Sequence, residues 1–198
     1  MTEYIRLYPR QTDDECLFRV EDDAERLVLR DDLRQNACRK CGKFDELRAL
    51  REGAYNRVAV TTRQDFFGSA DSFKIVSARL RHFLEAAVGN AIEYFDTGSG
   101  DYFIAHPTHV IIPEATSTAF RAFSKCRLCG RYSELLWGAT PAVITSEIAV
   151  SVFHLEHGMG IGPVWVVSEE LSDSLSKVSP KFKGFFKEAL TEVVRVET

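Results

Sequence analysis

The clearest periodic pattern of hydrophobic and polar positions lies in the segment "SARLRHFLEAAVG", residues 77–89. Its apolar side chains recur at helical spacing and share one face, namely Leu80, Phe83, Leu84 and Val88. Ser77 suits the N-cap position because its hydroxyl can accept a backbone N–H, and Gly89 suits the C-terminal end. The pattern therefore predicts a helix that begins after Ser77 and ends near Gly89.

A second helix is predicted in "SEELSDSLSKV", again directly after a serine, Ser168. Glu169 and Glu170 fall in its first turn, where the helix dipole favours negative charge. Pro180 follows the segment and agrees with an end of the helix before it.

Short segments with alternating or β-branched residues predict strands around these helices. The predicted strands are "YIRLYP", "CLFRV", "RVAVTTR", "SFKIV", "AIEYF", "YFIAHPTHVIIP" with a central turn, "PAVITSEIAVSVF", "GPVWVV" and "FKGFF". The pattern of "ERLVLRDDLR" fits a strand or a short helix, and that of "EALTEVVRVE" fits either as well. The mixture predicts an α+β fold.

Two phrases of the sequence recur. "CRKCGKFDEL" at 38–47 returns as "CRLCGRYSEL" at 126–135, and "FKIVSARLRHFL" aligns with "VWVVSEELSDSL" at an offset of 91. At that offset Ser77 matches Ser168, and Tyr94 and Phe95 fall opposite Phe185 and Phe186. The alternative is chance similarity between short amphipathic segments.

The recurrence predicts an internally duplicated fold, with two strand–helix–strand halves joined around a four-cysteine zinc-knuckle pair. The chain, residues 1–198, would form a single globular domain built of two pseudo-repeats, at about 34–97 and 122–187.

Composition places the chain among ordinary soluble globular proteins, with 45% hydrophobic and 27% charged residues. The formal net charge is -4, so general nucleic-acid binding is not expected without a local basic patch. The sequence begins without a basic segment followed by an apolar core, and no apolar run approaches the ~18 residues of a membrane span. We therefore expect a cytoplasmic protein that does not bind membranes.

The cysteines carry the strongest chemical signal. Their number, five, is odd, and the pairing of four of them in CxxC turns favours metal binding over disulfides. A CxxC turn places two sulfurs on one side of a bend, and the glycine after each turn can adopt a positive φ. Four sulfurs suffice for tetrahedral zinc at roughly 2.3 Å per bond, and such a site is closed and structural. The predicted ligands are Cys38, Cys41, Cys126 and Cys129.

Other interpretations of the cysteines stay open. The two turns could be reactive dithiols, half-sites completed by histidines, or a pair that has lost its metal, and iron fits the same sulfurs as zinc. Six basic residues could offset the charge of four thiolates, namely Arg39, Lys40, Lys43, Lys125, Arg127 and Arg131. Cys16 has no partner motif and is expected to be a small apolar residue of a strand.

The histidines form two pairs with a spacing of three, His106 with His109 and His154 with His157. Both segments look extended, so we expect surface or turn histidines rather than a second metal site. The sequence contains no GxSxG, P-loop or GxGxxG motif, and "GMGIG" precedes a strand instead of opening a helix. A protein that is not an enzyme is therefore expected.

Residues 12–32 are strongly acidic, with nine acidic and three basic side chains. Such a segment is either a solvated face or a surface that binds a basic partner. The candidate partner-binding residues are Asp13, Asp14, Glu15, Asp22 and Asp23.

The two CxxCG turns and the ending "WVVSEELSDSL…FKGFF" together resemble the double-CXXCG motif proteins, which are grouped with the immunity proteins of bacterial polymorphic and contact-dependent toxin systems. In that family the C-terminal unit ends in a small residue and an aromatic one, as Gly184 and Phe185 do here. Arg39 and Arg127 stand where the family's CPxCG form has proline.

The resemblance implies a cytoplasmic immunity protein that binds a cognate toxin and blocks it by occlusion. If that toxin is a nuclease, the acidic segment would enter its basic groove. The alternatives from other classes are a zinc-ribbon-like nucleic-acid or transcription-associated binding module, and an enzyme whose site the motifs do not reveal.

Overall fold

A computed structural model describes residues 4–10, 15–25, 27–111, 120–122, 125–131, 135–137, 142–144, 150–155, 164–190 and 192–194. Within these residues the chain forms an α+β fold with several sheets and few helices, as the sequence predicts. Two larger sheets, each accompanied by a helix, carry the main hydrophobic core.

The α-helices are α1 (Glu46–Arg51), α2 (Ala78–Val88) and α3 (Glu169–Lys177), and short 3-10 turns cover Asp31–Asn36 and Gly89–Ala91. Helices α2 and α3 were both predicted, and each begins after its predicted serine. The hydroxyl of Ser77 accepts the N–H of Leu80 at 3.2 Å, and that of Ser168 accepts the N–H of Leu171 at 3.3 Å. Helix α1, which Asp45 caps, was not predicted because it is too short to show a period.

Within the described residues, no helix has the length and apolar character needed to cross a membrane.

The strands are short. They are β1 (Tyr4–Pro9), β2 (Arg19–Glu21), β3 (Leu27–Leu29), β4 (Phe66–Gly68), β5 (Lys74–Ser77), β6 (Ile92–Asp96), β7 (Tyr102–Pro107), β8 (Val110–Ile111), β9 (Phe120–Ala122), β10 (Leu135–Trp137), β11 (Ala142–Ile144), β12 (Val152–Leu155), β13 (Val164–Ser168), β14 (Phe185–Ala189) and β15 (Glu192–Val194). The first sheet has the order β4-β5-β7-β6 and the second the order β14-β1-β13-β12-β8. Strands β2 and β3, β9 and β10, and β11 and β15 form separate pairs.

Four strands are arranged alike in the two larger sheets. In the first sheet, β5 and β6 flank β7 and are both antiparallel to it, and β4 is antiparallel to β5. In the second sheet, β13 and β14 flank β1 in the same way, and β12 is antiparallel to β13. Ser77 lies opposite Tyr102, and Ser168 lies opposite Tyr4. The N-terminal strand, "YIRLYP", therefore takes in the second sheet the place that "YFIAHP" takes in the first.

The pairing of β7 with β6 and of β1 with β14 corrects the predicted match between Tyr94 and Phe185. Pro107 lies opposite Ile92, and Pro9 lies opposite Phe185. Phe185 therefore corresponds to Ile92 and not to Tyr94, because the connection from the capping serine to the strand is two residues longer in the second half.

The main core lies between the helices and the two sheets. Leu80 and Leu84 of α2 and Leu171 and Leu175 of α3 are buried in one cluster, together with Trp165 of β13. A second cluster, around Phe18, Phe67, Ile75 and Ile104, lies where residues 15–60 cover the first sheet. Burial of these side chains supplies the main driving force for folding.

Residues 57–63, which were predicted as a strand, are extended but join no sheet. The side chains alternate as in a strand, since Val58 is buried and Ala59 is exposed. Their N–H groups, however, donate to a loop carbonyl, that of Thr97, and to the carboxylate of Glu15. The alternating apolar and polar residues of this segment therefore predicted correctly which side chains are buried, but the predicted pairing with a neighbouring strand was wrong.

The predicted strand "CLFRV" forms only in its last part, because β2 begins at Arg19. The N–H groups of Leu17 and Phe18 donate to the carboxylate of Asp71, at 3.1 and 2.8 Å, instead of to a neighbouring strand. The ambiguous segment "ERLVLRDDLR" contains both predicted structures, strand β3 and a 3-10 turn.

Candidate metal centre

The two CxxCG turns lie against each other and bring four sulfurs together. Cys38 Sγ lies 3.9 Å from Cys126 Sγ, and Cys41 Sγ lies 3.6 Å from Cys129 Sγ. All four sulfurs lie within 4.8 Å of one another, and none of them forms a disulfide. Four bonds of roughly 2.3 Å in a tetrahedron require sulfurs about 3.8 Å apart. The four predicted ligands therefore fit a single metal ion.

The two turns have the same backbone structure. Gly42 has φ 72° and donates its N–H to Cys38 O at 2.7 Å; Gly130 has φ 71° and donates to Cys126 O at 2.9 Å. The N–H of each first cysteine donates to the carbonyl of the residue after the glycine, at 2.7 and 2.8 Å. Since a positive φ is strained for other residues, glycine closes both turns.

The electrostatics of the turns favour thiolates at their first cysteines. Backbone N–H groups three and two residues further along each turn point at the sulfur, and they lower the pKa of Cys38 and bring that of Cys126 to about 6. Burial, together with the neighbouring thiols, raises the pKa of Cys41 to about 12. A metal ion needs deprotonated sulfurs, so binding would displace the protons that these thiols retain.

The set of donors fits a soft divalent metal. Four thiolates with no oxygen donor suit zinc or iron, whereas magnesium and calcium prefer oxygen ligands. When bound, such an ion would crosslink two turns that are 88 positions apart.

Arg131 connects the two turns independently of any metal. Its guanidinium donates to the carbonyl of Phe44 at 2.9 Å and lies 3.6 Å from the carboxylate of Glu46. The arginine follows the second turn, and both partners follow the first. The contact is partly exposed, so it contributes a modest amount to stability.

The other basic residues near the turns lie in different surroundings. Arg39, Lys40, Lys125 and Arg127 are exposed, and Lys43 is partly buried. Leu128 sits at the tip of the second turn with 52% of its surface exposed. The basic residues that were predicted to offset the thiolate charge are therefore mostly solvent-exposed, and their effect on the four sulfurs stays a prediction.

Two of the histidines are buried, which corrects the prediction that they lie on the surface or in turns. His106 on β7 and His154 on β12 pack with their rings perpendicular and 4.8 Å apart between centroids. Strands β7 and β12 belong to different sheets and contact each other there, which sequence spacing does not show. His109 is exposed, as expected, and His157 lies outside the described residues.

Burial keeps this histidine pair neutral. It lowers the pKa of His106 to about 4 and that of His154 well below its usual value. The Nδ1 atom of His106 lies 2.8 Å from the carbonyl of Pro107, whereas Nδ1 of His154 finds no partner among the described residues. Among the described residues, which do not include His157, no third ligand lies beside the pair.

The acidic candidates are dispersed. Asp13 and Asp14 lie outside the described residues. Glu15 accepts the N–H of Ala59 at 2.8 Å, and Asp22 accepts that of Ala24 at 2.9 Å, so both hold local backbone structure. Asp23 is exposed.

No family model, no curated protein sequence and no solved structure matches this chain at a significant level. The resemblance to the double-CXXCG motif proteins therefore stays a prediction that rests on the motifs.

Proposed function

We propose that this chain is a cytoplasmic immunity protein that binds a cognate bacterial toxin and neutralises it by occlusion, with a structural zinc ion. The observation that carries the proposal is the cluster of four sulfurs donated by two CxxCG turns. An ion held by four thiolates has no open coordination position for a substrate. Its contribution is to fix the surface of the protein, which is what an occluding partner requires.

The choice of zinc follows from the donor set and from the role. Sulfur separations of 3.6 and 3.9 Å bracket the spacing of a tetrahedral four-thiolate site, and zinc has no redox chemistry to compete with a structural role. Metal analysis of the purified protein distinguishes zinc from iron.

We also propose that the two halves arose by internal duplication. The proposal is supported by the two identical turns, the two serine caps with equal geometry, and the shared order of four strands. It assigns β1, at residues 4–9, to the second half, although it precedes the first half in the chain. The second repeat would then include the N-terminal strand in addition to residues 122–187.

The immunity function is tested by co-expression with the proteins encoded beside this gene, after each has been expressed alone to find a toxin that arrests growth. The wild type should restore growth and co-purify with the toxin, while Cys38→Ser should lose both activities together with the metal. Cys16→Ser is the matched control, since Cys16 lies outside the sulfur cluster. Failure of the wild type to bind or protect against that toxin would refute the proposal.

A nucleic-acid binding module is the second candidate, because exposed basic side chains surround the tips of the turns. Arg39, Lys40 and Arg127 are all exposed there. Fluorescence anisotropy with duplex and single-stranded oligonucleotides should show binding that weakens steeply with salt if this function is correct. Replacing the three residues by glutamine should then abolish binding; an absence of binding at low salt rejects this candidate.

A further inference from the structure

Strands β2 and β3 form a hairpin that is a two-stranded sheet of its own, and its two faces differ. Val20 lies directly opposite Val28, so the two side chains share one face. On this face Val20 has 46% and Val28 has 37% of its surface exposed. The other face is turned towards the protein, since Leu29 is partly buried and packs against the second hydrophobic cluster. The two valines therefore lie on the side of the hairpin that points away from the core.

The two valines form a contiguous apolar patch. Residues that lie directly opposite each other in such a pair have Cβ atoms about 4.5–5.5 Å apart. Single exposed apolar side chains are ordinary on protein surfaces, whereas contiguous ones more often mark interaction sites. Among the described residues five large apolar side chains are exposed, and only the first two lie opposite each other across a strand pair: Val20, Val28, Val110, Leu128 and Phe186.

Strand formation by itself does not require valine at these two positions. A cross-strand pair of β-branched residues stabilises a short hairpin. Threonine would supply the same branched shape, together with a hydroxyl group that water can solvate. The hairpin therefore accounts for branched side chains at Val20 and Val28, but not for their apolar character.

The surroundings of the valine patch are acidic. Residues 19–29 contain four acidic and two basic residues. The side chains of Glu21, Asp23 and Glu25 are exposed, and no hydrogen bond or ion pair joins their carboxylates to another described residue. The negative charge beside the patch is therefore available to a partner.

The two basic residues of the hairpin do not offset this charge at the outward face. Arg19 lies opposite Leu29, on the face turned towards the protein, and takes part in interactions within the chain. Arg26 lies outside the described residues.

The acidic tip of the hairpin is held by its own backbone. The carboxylate of Asp22 accepts the N–H of Ala24 at 2.9 Å, and the carbonyl of Asp22 accepts the N–H of Glu25 at 2.9 Å. These two bonds fix the turn from which Asp23 and Glu25 project. A surface that is ordered before binding loses less entropy when a partner docks.

We propose that the outward face of the β2–β3 hairpin is the docking surface for the toxin, with Val20 and Val28 at its centre and Glu21, Asp23 and Glu25 at its rim. The inference rests on the immunity function proposed above and adds the place of contact. An apolar centre with a polar rim is the usual arrangement of protein interfaces. The acidic rim selects a partner whose surface is basic around an apolar depression.

The first test measures binding of the metal-loaded chain to the toxin that co-expression identifies. The double variant Val20→Thr with Val28→Thr keeps the branched shape, and it should weaken binding by roughly tenfold or more, because two hydroxyls would replace apolar contacts at the centre. The matched control is Val110→Thr, which changes a valine of β8 with 45% of its surface exposed and should leave the affinity unchanged. Thermal unfolding and metal content show that each variant is folded.

The second test concerns the charged rim. Asp23→Asn with Glu25→Gln should slow association with the toxin by roughly threefold to tenfold at low salt, and the difference should disappear at high salt. Glu169→Gln with Asp173→Asn removes two exposed carboxylates from α3 and should not change the association rate. An equal effect of the two pairs would mean that net charge, and not the hairpin, steers the partner.

The outcomes separate this inference from the immunity function. If the wild type neither binds nor protects against a toxin encoded beside its gene, both are refuted. If the wild type binds and the valine double variant binds equally well, the docking surface is overturned and the immunity function stands. Sedimentation of the chain alone covers the remaining occupant: loss of a dimer in the valine variant, with toxin affinity unchanged, assigns the face to a second copy of this chain and overturns the proposal.

Discussion

The two larger sheets share the order of four strands, but their outer faces differ. At one register position of the first sheet, Ile104 on the central strand lies between Ile75 and Phe95 and is fully buried. At the same position of the second sheet, Arg6 lies opposite Glu188, and the two side chains form a half-exposed ion pair at 3.4 Å.

This difference shows that the same arrangement of strands can have an outer face that is covered by other parts of the chain or one that is partly in contact with water. The first sheet needs a cover for its apolar outer face, and the described residues between 15 and 60, which include the first CxxCG turn, provide it. In the second sheet the corresponding face is divided: Val166 and Phe153 on β13 and β12 are fully buried, whereas Arg6 and Glu188 at the β1–β14 side are accessible to water. The inner faces of both sheets share one core, which is apolar except for the buried Lys74 on β5.

A further difference lies on the strands before the helices. Lys74 precedes its capping serine by three residues, as Trp165 precedes its own. Burial lowers the pKa of Lys74 to about 7, and its ammonium donates to the carbonyl of Ser72. The same backbone position thus holds an amine in one half and an indole in the other.

The largest effect is expected from the candidate metal centre, to which the two CxxCG turns contribute alike. Cys38→Ser and Cys126→Ser should each lose the metal and much of the stability, because metal-binding energy is largely folding energy in such sites. Elemental analysis and thermal unfolding measure both losses. Cys16→Ser should keep the metal, and a fresh wild type without zinc or iron would disprove the metal centre.

Gly184→Ala should break the similarity between the two larger sheets. The carbonyl of Gly184 accepts the N–H of Arg10 at 2.8 Å, as that of Ala91 accepts the N–H of Thr108 in the first half at 2.9 Å. A Cβ on Gly184, however, would lie 2.0 Å from the carbonyl oxygen of Phe66. We expect destabilisation by about 3 kcal/mol or more, measured by denaturant unfolding.

The control for this substitution is Gly100→Ala. Gly100 also has a positive φ, 63°, but no atom lies within 4 Å of its added Cβ. It should cost about 1 kcal/mol, from the backbone conformation alone. Equal losses for the two variants would mean that the close approach to Phe66 is unimportant.

The histidine pair should make the junction of the two sheets sensitive to acid. The folded pKa of His106, about 4, lies below its ordinary value of 6.5, so the unfolded chain binds more protons between these values. The contribution to stability is complete above pH 6.5 and falls as the pH drops towards 4, by up to about 3 kcal/mol.

Denaturant unfolding of the wild type and of His106→Phe across this pH range measures the effect. The variant should lose less stability on acidification than the wild type, and because both contain the same cysteines, protonation of the metal ligands cancels in the comparison. His109→Phe changes an exposed histidine and should follow the wild type. Parallel curves for all three proteins would contradict the assignment.

The smallest effects are expected at the two helix caps. Ser168→Ala should cost about 1 kcal/mol, the usual loss of an N-cap hydrogen bond. Ser77→Ala should cost more, because the hydroxyl of Ser77 also donates to the largely buried carboxylate of Asp65 at 2.8 Å, whereas the carboxylate of Glu170 beside the Ser168 hydroxyl is exposed. Thermal unfolding that ranks the two variants in the reverse order would show that the Asp65 contact adds nothing.

The local features of this protein were determined by the sequence itself. The caps at Ser77 and Ser168 and the turns closed by Gly42 and Gly130 depend on contacts within a few residues. The four candidate metal ligands could be predicted for the same reason, because each turn positions its own pair of sulfurs, whereas the meeting of the two pairs is a tertiary contact.

Only the tertiary structure decided which segments meet. It placed β1 in the second sheet, brought His106 against His154, and directed Arg131 to the carbonyl of Phe44. It also left residues 57–63 outside every sheet, although their side chains alternate as in a strand. The physical reason is that periodicity reports which side of a segment is buried, whereas its hydrogen-bond partners are selected by packing between parts of the chain that are far apart in sequence.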